Sequence, residues 1–185
     1  KLIALIEAEL GSDYEGELSQ IGNERALQNA VLADIQQNTF GRQNEINDLV
    51  SFAHSDKSEL LVSATSGLGK SSLLASFCGA YDENALIIPF FAGISAKSTD
   101  FHFLARYLYA TLTKNDDDSI LEIPYGDLKK RLLGALFDAS SDKQIIIVID
   151  ALDQFAPSKE LYALDFINEQ LLPENVKIIY SALPD

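Results

Sequence analysis

Apolar and polar positions follow two periods along this chain, and from Glu59 onward the two take turns. Short apolar runs rich in β-branched residues cover Leu60 to Ser63, Ala85 to Phe91, Ile145 to Ile149 and Val176 to Tyr180, and these predict strands. Between and after them, apolar residues three and four apart predict helices over Lys70 to Gly79, Phe101 to Leu112, Gly126 to Phe137 and Ser158 to Leu171. Such alternation predicts an α/β fold in three layers: a mostly parallel sheet with helices on both faces, because a parallel crossover needs a helix to carry the chain back.

Ahead of Glu59 the pattern is helical only. Lys1 to Leu10 places Leu2, Ile3, Ile6 and Leu10 at helical spacing, Glu24 to Gln37 repeats this with Leu27, Val31 and Ile35, and the intervening Gly11 to Glu17 is acidic and loop-like. So few apolar positions cannot close a core alone. Residues 1–38 therefore read as a helical lead-in or linker, and residues 39–185 as the core domain. Asn115 to Ser119, with three consecutive aspartates, reads as a solvated loop.

The densest chemistry follows the first strand. Ser63-Ala64-Thr65-Ser66-Gly67-Leu68-Gly69-Lys70-Ser71-Ser72 leads into the helical pattern Leu73, Leu74, Phe77 and Cys78, which is the strand-loop-helix context of a phosphate-binding loop. The pattern G-x-x-x-x-G-K-[ST] is met except at its first glycine, where Ala64 stands, and an alanine fits there if its φ is negative. Backbone N–H groups of Thr65, Ser66, Gly67, Leu68, Gly69, Lys70, Ser71 and Ser72 are the candidate phosphate ligands, aided by the positive end of the helix dipole. Lys70 would reach the β- and γ-phosphates, and the Ser71 hydroxyl would ligate Mg²⁺. A glycine-rich turn that merely caps a helix would leave Lys70 without a role.

A metal beside a triphosphate needs a carboxylate from a neighbouring strand. Ile145-Ile146-Ile147-Val148-Ile149 is a run suited to a central strand buried on both faces, and it ends in Asp150, the expected Mg²⁺-side acid. Asp153, in Asp150-Ala151-Leu152-Asp153-Gln154, is a candidate for handling the attacking water. Its plainer alternative is a cap for the helix expected to begin near Pro157 and Ser158. Gln154 stands where many related ATPases have glutamate, which weakens any expectation of fast hydrolysis.

Charge and composition narrow the field. The chain of 185 residues is 47% hydrophobic and carries 14 Lys plus Arg against 28 Asp plus Glu, a net charge of −14. That balance disfavours nonspecific nucleic-acid binding, whose main driving force is phosphate neutralisation. Lys129-Lys130-Arg131 reads as the wet face of a helix whose apolar side is Leu128, Leu132, Leu133 and Leu136. The single cysteine, Cys78, reads as a buried apolar residue, and His54 and His102 lack metal-ligand spacing. No apolar stretch of about 18 residues predicts a membrane span and no signal peptide is visible, so no membrane insertion and a cytoplasmic site are expected. The chain begins with Lys1 and stops at Asp185 just after a strand-like run, so it reads as a piece of a longer protein.

Ahead of the phosphate loop, Phe40-Gly41-Arg42-Gln43-Asn44-Glu45-Ile46 resembles the h-G-R-x-x-E-h signature of the signal-transduction ATPases with numerous domains, the STAND class of P-loop NTPases. Phe90 to Asp100, the acidic strand end Asp150 to Gln154, and Val176 to Pro184 are similar to segments of its NACHT branch, in the group of telomerase-associated and nephrocystin-type proteins. The resemblance spans about Gln28 to Asp185. It implies a three-layer P-loop core that binds ATP or ADP with Mg²⁺, with Phe40, Gly41 and Arg42 against the adenine and Ser181 at the sensor position. Adenine rather than guanine is the expected base on that ground. It further implies the nucleotide switch of a multidomain signalling receptor, with slow ATP hydrolysis and self-association or partner domains, and a fifth strand beyond Asp185. The alternatives from the residues themselves are a nucleotide-bound scaffold that does not hydrolyse and a P-loop small-molecule kinase.

Overall fold

The computed structural model describes residues 18–39, 41–81, 85–162, 165–166 and 172–184. Strands β1 (Glu59–Ser63), β2 (Leu86–Phe91), β3 (Ile145–Asp150) and β4 (Val176–Ala182) make one parallel sheet in the order β1-β4-β3-β2. Around it lie α1 (Gln20–Gln37), α2 (Gln43–Ala53), α3 (Lys70–Ala80), α4 (Phe101–Thr113), α5 (Tyr125–Ser140) and a short α6 (Lys159–Tyr162). The fold is α/β in three layers, as the alternating periods predict.

Strand β3 shows why. Every one of its residues is buried, and successive side chains point to opposite faces. Ile145, Ile147 and Ile149 join Leu104 and Leu108 of α4 and Leu128, Leu132 and Leu136 of α5 in one core, while Ile146 and Val148 join Ile46, Leu49 and Phe52 of α2 and Leu73, Leu74 and Phe77 of α3 in the other. A run of β-branched residues with no polar interruption is what burial on both faces requires. In β4 the same alternation puts Lys177, only 5% exposed, on the second face, where its ammonium donates to the carbonyls of Ser55 and Lys57 at 2.8 Å each.

Element ends follow local chemistry. Asp100 caps α4 by accepting from the His102 N–H at 2.8 Å, and α2 starts inside the Gly41-Arg42 segment with Arg42 at its N-cap in the left-handed region, φ 61°. Ser158 caps α6, its hydroxyl accepting from the Leu161 N–H at 3.0 Å. Lys130 and Arg131 are exposed on α5 while Leu128, Leu132 and Leu136 are buried, as expected of that helix. The helix expected over Lys1 to Leu10 lies outside the described residues, as does Phe40; of the one expected over Ser158 to Leu171, the structure describes Lys159–Tyr162 as helix.

Besides Ile21 and Ala30, the lead-in helix α1 buries polar side chains that its sequence gives no reason to bury. Gln28 is fully buried, and its amide binds both backbone groups of Phe91 on the free edge of β2, accepting from the N–H at 2.7 Å and donating to the C=O at 3.2 Å. In effect it supplies a strand's hydrogen bonds from a side chain, satisfying backbone groups that burial would otherwise strand. Glu24, also buried, accepts from Gln28 at 2.9 Å and from Ser95 Oγ at 2.7 Å. Farther along, Gln36 donates to the Ala75 carbonyl of α3 at 2.8 Å.

The aspartate run is more than the solvated loop expected of it. Asp118 accepts from the Gln20 N–H at 2.8 Å at the start of α1, and Asp116 pairs with Arg25 at 2.6 Å. Carboxylates beside a helix N-terminus and a neighbouring guanidinium are stabilised there, so the run helps to seat α1. Among the described residues, no helix is long and apolar enough to cross a membrane.

Candidate phosphate-binding cleft

The loop between β1 and α3 owes its path to two glycines. Gly67 and Gly69 have φ of 81° and 75°, a region that side-chain-bearing residues enter only at a cost of about 1 kcal/mol or more. Ala64 is not among the residues with positive φ, so its methyl group meets the condition set for it by the sequence. Gly69 is the N-cap of α3 and offers no side chain to the helix end. The first helical bond runs from Leu73 N to Gly69 O at 3.0 Å, which leaves the N–H groups of the opening turn without a side-chain cap and directed out of the helix end.

Lys70 Nζ folds over the loop, donating to the carbonyls of Ala64 at 2.6 Å and Thr65 at 3.4 Å. On the other flank the Arg42 guanidinium donates to the Leu68 carbonyl and, at 3.4 Å, to that of Gly69. Both cations therefore hold loop carbonyls. Leu68 itself is 53% exposed at the loop tip.

The opposite wall is the end of β3. Asp150 is 5% exposed, and its Oδ1 accepts from Ser181 Oγ at 2.5 Å; the same hydroxyl oxygen accepts from the Ala151 N–H at 2.8 Å. Ser181 thus ties the ends of β3 and β4 together and fixes one carboxylate oxygen. Ala151 sits at φ 59°, ψ 60°, a left-handed alanine at the mouth of the cleft, and strain of this kind concentrates at sites of function. Next, Leu152–Gln154 form a 3₁₀ turn. Asp153 there accepts from the Leu183 N–H at 3.2 Å and from Gln154 Nε2 at 2.9 Å. It does not cap α6, since Ser158 does, so the plainer alternative for Asp153 is replaced by a tether to the end of β4.

These walls enclose a cleft of about 400 Å³ lined by Ser66, Gly67, Gly69, Lys70, Ser71, Ser72, Asp150, Ala151, Asp153, Gln154 and Leu183. Residues distant in sequence thus meet at the carboxyl ends of the strands, where ligands bind in sheets of this kind. Thr65, Leu68, Gly41, Arg42 and Ser181 do not line it; Gly41 and Arg42 lie in the turn before α2, and Ser181 acts through Asp150 and Ala151. Ala151 and Leu183 were not expected there. Ala151 gives no sequence signal of its strain, and Leu183 lies beyond the end of β4, where its N–H donates to Asp153.

The chemistry of the donors fits a magnesium ion better than a protein-made metal cage. No group of three or more His, Cys, Asp or Glu able to hold a metal occurs among the described residues, whereas Ser71 and Asp150 both line the cleft. Mg²⁺ is typically held by one or two protein oxygens together with substrate phosphates and water. Cys78, on α3 behind the loop, is half-buried, and burial pushes its thiol up to about 12, away from the reactive thiolate form.

The sequence also contains Thr113-Lys114-Asn115-Asp116, which fits the Asn/Thr-Lys-x-Asp pattern that reads guanine. None of the four lines the cleft. Thr113 Oγ1 donates to the Tyr109 carbonyl at 2.8 Å and Asp116 pairs with Arg25, so the match is incidental to this site. Models of known protein families and the sequences of curated proteins give no match to this chain.

Proposed function

We propose that the cleft binds ATP with Mg²⁺ and that the chain is the nucleotide-switch module of a multidomain signalling receptor of the STAND class, in its NACHT branch. The observation that carries the nucleotide reading is the meeting, in one cleft, of the glycine loop, Lys70 and Ser71 with Asp150 and Asp153. In this reading the N–H groups of Gly67, Gly69, Lys70, Ser71 and Ser72 take the β- and γ-phosphate oxygens, and the Lys70 ammonium turns from the loop carbonyls toward them. Ser71 and Asp150 would hold Mg²⁺, which supplies neutralising charge to the phosphates. Asp153 accepts a proton from, or orients, the attacking water. Turnover is slow, because Gln154, whose amide is no base, stands where a glutamate would serve the attacking water. A bound nucleotide shifts the arrangement of neighbouring domains only through unequal affinity for the two states.

Gln154 also favours a second reading, a nucleotide-bound scaffold that does not hydrolyse. Titration with a fluorescent ATP analogue, with and without Mg²⁺, tests the main claim: saturable binding strengthened by Mg²⁺ is expected, and no binding in either condition would sink both readings. Competition by GTP as strong as that by ATP would remove the assignment to adenine. Single-turnover hydrolysis then separates switch from scaffold.

A further inference from the structure

An anion site made of backbone N–H groups has to dispose of its carbonyls. Each C=O shares a rigid peptide plane with the next N–H, and in a trans peptide the two point in opposite directions. All described peptide bonds here are trans. Arg42 donates to the carbonyls of Leu68 and Gly69; the N–H groups in those same planes belong to Gly69 and Lys70, and they must face away from Arg42. Gly69 and Lys70 line the cleft, while Leu68 and Arg42 do not. The guanidinium therefore sits on the back of the loop and holds the Leu68 carbonyl there, so that the Gly69 N–H faces the front; the Gly69 carbonyl, which it shares with the Leu73 N–H of α3, sends the Lys70 N–H the same way.

Two further observations show that this contact is built in. The guanidinium lies close against the Gly69 backbone: a Cβ there would stand 3.4 Å from Arg42 Nη2, at the edge of ordinary contact, so it is the φ of 75° that calls for glycine. Arg42 itself is placed by a left-handed backbone at the N-cap of α2, φ 61°.

We infer that Arg42 is a positioning residue for polyphosphate binding, acting through the Leu68 and Gly69 peptides rather than by touching the nucleotide. The inference rests on the cleft being a polyphosphate site, and it names the ligand class that Arg42 serves: the phosphate chain, not the base. Lysine cannot substitute fully, because one ammonium lacks the planar fork that reaches two adjacent carbonyls.

The test uses inorganic tripolyphosphate and ATP side by side, titrated calorimetrically against the wild type, Arg42→Lys and Arg42→Gly. Glycine keeps the left-handed backbone at residue 42 without strain. Loss of two charge-assisted hydrogen bonds to the loop should weaken both ligands by the same factor, about tenfold or more. Methylguanidinium at a few millimolar should restore part of both affinities in Arg42→Gly, and Arg42→Lys should fall between. A variant that lost ATP but kept tripolyphosphate would place Arg42 on the base or ribose and overturn the inference, as would unchanged affinity for both. Losses that only track a falling melting temperature, with no rescue by methylguanidinium, would reduce Arg42 to a stabilising contact and also overturn it. Binding of neither ligand to the wild type would instead remove the polyphosphate reading on which the inference rests.

Discussion

The two walls of the cleft reach their geometry by opposite means. On the phosphate-loop side the backbone is bent by glycines at positive φ, and charged side chains, Lys70 and Arg42, hold its carbonyls back. On the β3 side the bend falls on Ala151, an ordinary residue at positive φ, and a neutral hydroxyl, Ser181, holds its N–H and the carboxylate of Asp150 together. One wall presents donors and the other an acceptor. A polyanion with a divalent cation needs that asymmetry: N–H groups and a lysine for the phosphates, a carboxylate for the metal. In a chain of net charge −14, the donor wall has to be built locally, and the cations that organise it stand at the loop itself.

The largest break in this comparison comes from Lys70. Lys70→Ala removes the one side-chain ammonium that lines the cleft among the described residues, and the clamp on the Ala64 and Thr65 carbonyls with it. ATP affinity should fall by about a hundredfold or more, since charge-assisted hydrogen bonds contribute ~1.5–3 kcal/mol each. A fluorescent ATP analogue measures it, and undiminished binding would mean that the loop is not the phosphate site.

On the acceptor wall, Asp150→Asn keeps an oxygen for Ser181 but removes the charge. Affinity without Mg²⁺ should change little, while the gain on adding Mg²⁺ should shrink by about tenfold, as for other losses close to a metal. Equal loss in both conditions would remove Asp150 from the metal. Asp153→Asn should leave Mg²⁺-dependent binding intact and lower single-turnover hydrolysis. If turnover survives and only the melting temperature drops, the role of Asp153 is its bond to Leu183.

How far each wall can be read from sequence differs for a physical reason. The phosphate loop is contiguous, and its glycines and lysine act within a few residues of one another, so spacing alone exposes it. Asp150 is legible as well, because an uninterrupted β-branched run marks a strand buried on both faces, and an acid at its carboxyl end falls where such sheets open onto a crevice. The join to Ser181 is not, since it depends on β3 and β4 lying side by side with a register that pairs Ile149 with Tyr180. The docking of α1 is hidden for the opposite reason. Gln28 and Glu24 look like surface residues, and only the free edge of β2 turns them into core. Likewise the aspartates after α4 look solvated until α1 presents Gln20 and Arg25 to them.

Ser181→Ala would sharpen the contrast between the walls without touching either phosphate or metal. It leaves the Ala151 N–H without its partner and frees Asp150 Oδ1, and a buried polar group so stranded costs ~1–3 kcal/mol. Urea unfolding should register that loss, accompanied by weaker Mg²⁺ dependence because the carboxylate is no longer fixed. Preserved stability would show that water or the turn itself satisfies both groups.

The smallest effect, and the most pointed, belongs to Ala151→Gly. An alanine at φ 59° costs about 1–2 kcal/mol relative to a relaxed backbone. Glycine removes that strain but gives back roughly 0.5–1 kcal/mol through the greater freedom of its unfolded chain. The net expectation is a gain of at most about 1 kcal/mol, read from the midpoint of denaturant unfolding. Because the strained residue and Ser181 share a hydrogen bond, the two sites should couple: Ser181→Ala should cost less in the Ala151→Gly background, where the turn no longer depends on the hydroxyl to hold a strained conformation. Strict additivity of the two substitutions would mean that Ser181 serves Asp150 alone. A net loss of stability in Ala151→Gly would mean that its methyl group contributes more by packing than its backbone loses to strain, and the acceptor wall would then be shaped by contact rather than held against strain.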